Sequence, residues 1–343
     1  MLHKPSIFII YTGGTIGMVK DETCGSLKPF DFEHLYSQVP ELKKFDYNFG
    51  HYSFSPPIDS SDVNPEVWIK LLKIIEKNYD AYDGFVVLHG SDTMAFTASA
   101  ISFLIEDLSK PVIFTGSQLP VGVIRTDGKE NFITAVEIAA AKSGGKPVVP
   151  EVGIYFEYKL FRGNRTHKLN AEHFKAFSSV NYPLLAEAGV NIKYNKSAIH
   201  KSLNRKTKFH KKLDPNVGIL KLFPGISKEF VENILNTKKL KSVILETYGA
   251  GNAMTDKWFL EAIEKAIKRN IVVLNVTQCQ GGRVNQGRYG ASVGLAQMGV
   301  IGAYDITTEA ALTKLMYLFG NYSDLKLIKE LLEKSIRGEM TIR

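Results

Sequence analysis

Three short apolar runs in the first 120 residues each end in a polar, glycine-containing cluster, and this repetition constrains the fold more than any other feature. "SIFIIY" (6–11) leads into "TGGTIG", "GFVVL" (84–88) into "HGSDT", and "PVIFT" (111–115) into "GSQLP". Such continuous runs suit strands buried on both faces, as in a parallel sheet covered by helices. The segments between and after them, "PEVWIKLLKIIEKN", "MAFTASAISFLIED" and "KENFITAVEIAAAK", read as helices, the first plainly amphipathic. An α/β fold follows. All three polar clusters lie just past the C-terminal end of a strand, where open parallel sheets bind ligands.

"PVVPEVGIYFEYKLFRGNRTHKLN" breaks the rhythm and reads as a hairpin with Lys168 just beyond its exposed turn. From "VGILKLFPG" the strand–helix alternation resumes, through "KSVILETYGAGN" and "IVVLNVTQCQGG", and ends in two helical segments. A chain of 343 residues is long enough for two domains. The expected division is a larger N-terminal domain over 1–189, a basic linker over 190–214 and a smaller C-terminal α/β domain over 215–343. From Val190 to Leu213 there are eight Lys or Arg and no Asp or Glu, which holds much of the formal charge of +8. With only Tyr194 and Phe209 as aromatics, that tract lacks a base-stacking platform and reads as a solvated connection, so no nucleic-acid partner is expected.

A hydrophobic fraction of 44% is ordinary for a globular chain, and disorder is not expected to dominate. The N-terminus lacks a cleavage signature and no apolar run approaches a membrane span of roughly 18 residues, so the expectation is a cytoplasmic protein without a membrane partner. Cys24 and Cys279 have no metal-ligand spacing and the eight histidines contain no H-E-x-x-H, so neither metal nor cofactor is expected.

Both nucleotide readings of "TGGTIG" fail on spacing, because neither G-x-G-x-x-G nor a loop ending in Gly-Lys-Ser/Thr is present. The remaining choices are a structural turn and a turn that presents Thr15 as a nucleophile. In "HGSDT", Ser91 is a nucleophile or donor, Asp92 can hold an ammonium group, and Thr93 can cap the following helix through its hydroxyl. His89 reads either as a core histidine holding its loop or as a participant. A hydroxyl nucleophile requires a base. Lys168 in "RGNRTHK" reads alone as a surface lysine; if it approaches Ser91 and loses charge through desolvation, it can accept the hydroxyl proton. In "PPIDSSDV" the competing reading is a helix cap before "PEVWIKLL".

Taken together, "TGGTIGM", "DSSD", "HGSDTMAFTASA", "GSQLP", "RGNRTHK", "YGAGN" and "TQCQGGRV" resemble the bacterial L-asparaginases of the cytoplasmic, type I subfamily, in order and over essentially the whole chain. The resemblance implies hydrolysis of L-asparagine to L-aspartate and ammonia through a hydroxyl-linked acyl-enzyme. Thr15 matches the nucleophile, and Ser91, Asp92 and Lys168 match the rest of the catalytic group. Asp92 also matches the ammonium ligand and Ser60 the carboxylate ligand, with Asp59 and Ser61 beside it; Ser117 and Gln118 would bind the amide or shape the oxyanion site. A homodimer, with pairing into a tetramer as a further option, is implied as well. Broader glutaminase activity and an RNA-associated or ligand-sensing module are the alternatives.

Four positions depart from the family pattern. Ser91 stands where a second threonine is general. No tyrosine occurs between Val19 and His34, and Ser26 or Leu27 is near the expected place. Activation of Thr15 is left to water, another loop residue or Tyr11. Glu246 before "YGAGN" replaces an arginine and His167 a threonine of the family's regulatory site, so allosteric control by asparagine is not carried over.

Overall fold

The computed structural model describes residues 4–20, 27–29, 36–202, 205–287 and 290–342. They form two compact units, 1–211 and 212–343. The first is built on an eight-stranded sheet of β1 (Ser6–Tyr11), β2 (Asn48–Ser53), β3 (Gly84–Leu88), β4 (Val112–Thr115), β5 (Val152–Phe156), β6 (Lys159–Arg162), β7 (Ala186–Ala188) and β8 (Ile192–Tyr194). Their spatial order is β8-β7-β6-β5-β4-β3-β1-β2. β2, β1, β3, β4 and β5 are mutually parallel, and β6, β7 and β8 extend the sheet in antiparallel fashion.

The pairing register places Tyr11 beside Leu88 and Leu88 beside Thr115, so the three polar clusters leave the sheet side by side. Three helices cover this sheet: α1 (Pro65–Asn78), α2 (Met94–Leu104) and α3 (Gly128–Ala140). Phe132 and Val136 of α3 belong to one buried cluster with Ile7, Ile9, Val86 and Leu88. Each such side chain contributes roughly 1.5–3 kcal/mol on burial. Strand β2 is not evident in the sequence because it lies at the sheet edge, where "NFGHYS" is exposed or half-buried and forms no apolar run.

Segment 190–214, expected as a linker, is largely built into the first unit. Ile192–Tyr194 forms the edge strand β8, and Lys208–Phe209 pairs antiparallel with Ile105–Glu106. Glu106 accepts from Lys208 Nζ at 2.7 Å and faces His210 Nε2 at 3.0 Å, so an acidic partner distant in sequence fixes part of the basic tract.

The hairpin expected over 147–170 also differs in detail. Its turn is Glu157–Tyr158, both at positive φ, whereas Gly163, Asn164 and Arg165 form a buried helical turn. A Cβ at residue 163 would stand 3.1 Å from the Ala98 Cβ of α2, so this polar stretch packs inward against a helix.

The second unit has a four-stranded parallel sheet in sequence order, β9 (Val217–Lys221), β10 (Ser242–Thr247), β11 (Val272–Thr277) and β12 (Ile301–Gly302). It carries α4 (Lys228–Leu235), α5 (Lys257–Lys268), α6 (Gly290–Gln297), α7 (Thr308–Asn321) and α8 (Leu325–Leu332). Its C-terminal segment is anchored by a buried ion pair. Lys314 Nζ of α7 lies 2.6 Å from Glu339 Oε1, and both side chains are almost wholly inaccessible. Burial opposes charge on Glu339, but the Lys314 ammonium and the N–H groups of Arg337 and Ile336 more than offset it, holding the carboxyl below its ordinary 4.5.

Lys314→Met is expected to cost about 3–5 kcal/mol in urea unfolding at neutral pH, because it strands the Glu339 charge; Lys314→Met with Glu339→Leu should cost less. The contribution of Glu339 is complete above its unfolded value and is lost as pH falls through its lower folded value, so the wild-type advantage should shrink in acid.

Candidate active site

β1 ends in a turn whose glycines permit contacts that side chains would block. Gly14 has φ 90° and caps the short helical turn Thr15–Gly17, with Gly17 N donating to Gly14 O at 3.2 Å. A Cβ on Gly14 would lie 2.5 Å from Gly90 Cα, and one on Gly13 would lie 2.2 Å from Ile58 O. Only residues without side chains allow this approach at positive φ. The β1 loop therefore rests directly on both the loop after β3 and the loop that precedes Asp59. Thr12 adds a bond from its N–H to Leu88 O at 2.9 Å, and its carbonyl accepts from Ile58 N at 2.7 Å.

On the second loop, Lys168 Nζ donates to Ser91 Oγ at 2.9 Å and to Asp92 Oδ1 at 2.5 Å. Lys168 comes from the two-residue strand His167–Lys168, which pairs with Phe177–Ser178 and follows the buried turn of residues 163–165. Its side chain is 17% exposed, whereas that of Asp92 is 66% exposed, so the lysine is covered and the carboxylate opens to solvent. Thr15 and Ser91 are half-buried.

Ser60 is buried, and a Cβ on Gly90 would meet its Oγ at 2.6 Å. Asp59 and Ser61 are exposed and bonded to one another: the Asp59 carboxylate accepts from Ser61 N at 2.8 Å and Ser61 Oγ at 2.7 Å. Those two hydrogen bonds hold the Asp59 carboxyl below its ordinary range. The cap of α1 is instead Asn64, which accepts from Val67 N. Thr93 does not bond the α2 backbone as expected; its hydroxyl donates to Ser60 O at 2.6 Å and so ties two loops together.

The loop after β4 supplies the remaining candidates. Ser117 is buried with its hydroxyl donated to Leu119 O at 2.5 Å, while Gln118 Nε2 bonds the carbonyls of Ala171 and His173. Gln118 Oε1 accepts from Ser91 Oγ at 3.4 Å, and the Gln118 N–H donates to Asp127. Gln118 thus connects the hydroxyl loop to the segment following Lys168.

Of the two readings of His89, the geometry supports the core one. Its Nδ1 faces Gly90 O at 2.7 Å and its Nε2 faces Thr97 Oγ1 at 3.0 Å, which in turn accepts from Trp68 Nε1. Burial pushes the imidazole down to about 4, so it is neutral near pH 7 and donates from Nδ1 to the Gly90 carbonyl. Thr97 and Trp68 are residues that sequence reasoning misses, since helical periodicity marks them only as core.

Tyr11 is buried, with its hydroxyl beneath Gly17. Ser26 and Cys24 lie outside the described residues. Glu246 is buried in β10 and accepts from Thr308 Oγ1 at 2.6 Å. Among the described residues, no group of three or more His, Cys, Asp or Glu is placed to hold a metal ion, and no helix is long and apolar enough to cross a membrane.

Comparison with known proteins gives this arrangement a class. Residues 6–200 match the family model "Asparaginase, N-terminal", and residues 216–332 match "Glutaminase/Asparaginase C-terminal domain". L-asparaginase 1 of Escherichia coli K12 is 41% identical over 341 residues, covering 99% of both chains. The crystal structure of L-asparaginase I from Vibrio cholerae superimposes with a TM-score of 0.90 at 40% identity, covering 99% of this chain and all of that one. One component of the Glutamyl-tRNA(Gln) amidotransferase of Pyrococcus horikoshii is 32% identical, covering 99% of this chain and 77% of its own. The protein is an enzyme of the amidohydrolase class. It belongs to the asparaginase family, on the branch of the bacterial type I L-asparaginases.

Proposed function

We propose that the enzyme hydrolyses the side-chain amide of L-asparagine through an acyl-enzyme on Thr15. The observation that carries this reading is Lys168 Nζ bonded to both Ser91 and Asp92 on a loop packed against Gly14, next to Thr15. Thr15 Oγ1 attacks the carboxamide carbon, and its proton passes by way of Ser91 to Lys168 in its amine form. The tetrahedral adduct collapses as Lys168 returns that proton to the leaving nitrogen, which departs as ammonia and leaves the lysine an amine again. Water then cleaves the Thr15 ester and releases aspartate.

Substrate recognition follows from charge. Asp92 engages Lys168 through Oδ1, which leaves Oδ2 for the substrate ammonium as a charge-assisted bond. Ser60, held against Gly90 and fixed through its carbonyl by Thr93, offers a hydroxyl to the α-carboxylate, with Ser61 and Asp59 at the rim. Ser117 and Gln118 shape the amide end.

Equal yields of ammonia and L-aspartate from L-asparagine, without added metal or nucleotide, test the proposal. Absence of turnover, with ready release of ammonia from an RNA-linked amide, would favour the activity suggested by the amidotransferase relative. L-glutamine is one methylene longer, a difference worth about 1–3 kcal/mol in a fitted pocket, so parallel rates should favour asparagine by roughly 10–200-fold. Ser91→Thr is expected to retain turnover because it keeps the oxygen, and its branched Cβ restricts the rotamer. Asp92→Asn should raise KM for asparagine more than it lowers kcat. A homodimer and a cytoplasmic location belong to the same reading. Solution mass over a concentration range checks the first, with a fully active monomer as the contrary result, and cell fractionation checks the second.

A further inference from the structure

The first unit carries a cavity of about 460 Å³ at the end of its sheet opposite the candidate catalytic loops. Asp83 immediately precedes β3, Lys110 precedes β4 and Val148 precedes β5, and all three line it. The catalytic loops follow the other ends of these parallel strands. Strands of four or five residues separate the two regions by about 13–17 Å.

The lining is strongly cationic. Lys110, Lys142, Lys146, Lys196 and Lys201 line the cavity, with His200 beside them, and Asp83 is the one acidic residue of the lining. That carboxylate is already engaged, accepting from Lys142 Nζ at 2.8 Å and Ser6 N at 2.9 Å. Lys110 is turned to the carbonyls of Tyr79 and Tyr82. Lys146, Lys196 and Lys201 are exposed and form no ion pair among the described residues, so three lysines without an acidic partner border one hollow.

The basic wall is also held in place. Its backbone is tied to the sheet by the buried Glu151–Arg162 pair at 2.6 Å: Glu151 Oε1 accepts from His200 N at 2.7 Å, and Arg162 donates to Ala198 O at 3.0 Å. Tyr182 Oη donates to the same carbonyl at 2.8 Å. The facing wall is a short hairpin of Lys142–Ser143 and Lys146–Pro147. Pro147, Val148 and Ile199 give the hollow an apolar side. Lysines bordering a pre-ordered concave surface with an apolar side suit a compact polyanion, because several phosphate oxygens can each take a charge-assisted bond.

The geometry points to a binding site for a small polyphosphate-bearing molecule in this cavity, separate from the amide-hydrolysing site. It takes the phosphates on Lys146, Lys196 and Lys201, and the volume suits a nucleoside polyphosphate or its inorganic counterpart rather than a folded nucleic acid. Neither the proposed nucleophile nor the substrate ligands take part, so the inference stands apart from the catalytic reading.

Isothermal titration of the full-length protein with inorganic tripolyphosphate and with ATP, at physiological salt, tests it. Saturable binding of one molecule per chain is expected, weakened at least about tenfold in Lys146→Ala/Lys196→Ala/Lys201→Ala. A control with the same charge loss, Lys228→Ala/Lys257→Ala/Lys268→Ala, should bind as wild type. Tighter binding of ATP than of tripolyphosphate identifies a nucleoside source, and equal binding identifies phosphate alone; either supports the site. Unperturbed thermal unfolding and unchanged asparagine hydrolysis without ligand should show that both variants fold. No saturable binding, equal weakening in the control, or tighter binding of a single-stranded RNA abolished by the first variant would overturn the inference.

Discussion

Thr15→Ala is expected to lower kcat for asparagine hydrolysis by about 10⁴-fold or more, the scale seen when a covalent nucleophile is removed. The fold should be unaffected. Thr15 sits in a turn closed by the backbone bond from Gly17 to Gly14, and no hydrogen bond ties its hydroxyl to another of the described residues. Removing the oxygen therefore strands no buried partner, and the thermal midpoint should match that of wild type. A variant with normal turnover would return "TGGTIG" to a structural or ligand-cradling turn.

Lys168→Met should lower kcat by about 10²–10⁴-fold, the usual contribution of a positioned proton acceptor. Methionine preserves most of the largely covered aliphatic stem, so the amine alone is lost. The abandoned Asp92 carboxylate is two-thirds exposed and returns to water, limiting the cost to the fold to about 0–1 kcal/mol. Steady-state kinetics beside urea unfolding separates these effects. A large stability loss with intact kcat would make Lys168 a structural residue.

How much of this is legible in the sequence depends on whether a feature is local. The runs ending at Tyr11, Leu88 and Thr115 mark buried parallel strands, so the placement of each polar cluster at the C-terminal end of a strand follows from pattern alone, whereas the side-by-side order of those strands is given by their pairing. The contact of Lys168 with Ser91 joins residues 77 apart, and spacing cannot supply it. The turn of residues 163–165 looks polar and exposed in sequence, yet it is buried because Gly163 lets it approach Ala98. A hydroxyl before a helix ordinarily caps it, which is the expectation for Thr93; here the Ser60 carbonyl competes successfully for that hydroxyl. The basic tract looks like a linker by composition because the partners that order it, Glu106 and Glu151, lie far away in the chain.

The role of the glycine pair in the first loop is where local and distant information meet. Gly14 is readable as a turn residue, but its close approach to Gly90 shows what brings the first two clusters together. That contact sets Thr15 beside the loop of Ser91 and Asp92, and it supports the proposed role of Thr15 as nucleophile. The alternative within the same geometry is attack by Ser91, whose oxygen already faces an amine.

Trapping of the acyl-enzyme, followed by peptide mapping, separates these two hydroxyls directly. Rapid acid quench during turnover of labelled L-asparagine should leave an aspartyl ester on the peptide containing Thr15, absent in Thr15→Ala and accumulating when the deacylation step is slowed. Label found only on the peptide containing Ser91, or no covalent species together with full turnover by Thr15→Ala, would contradict the account.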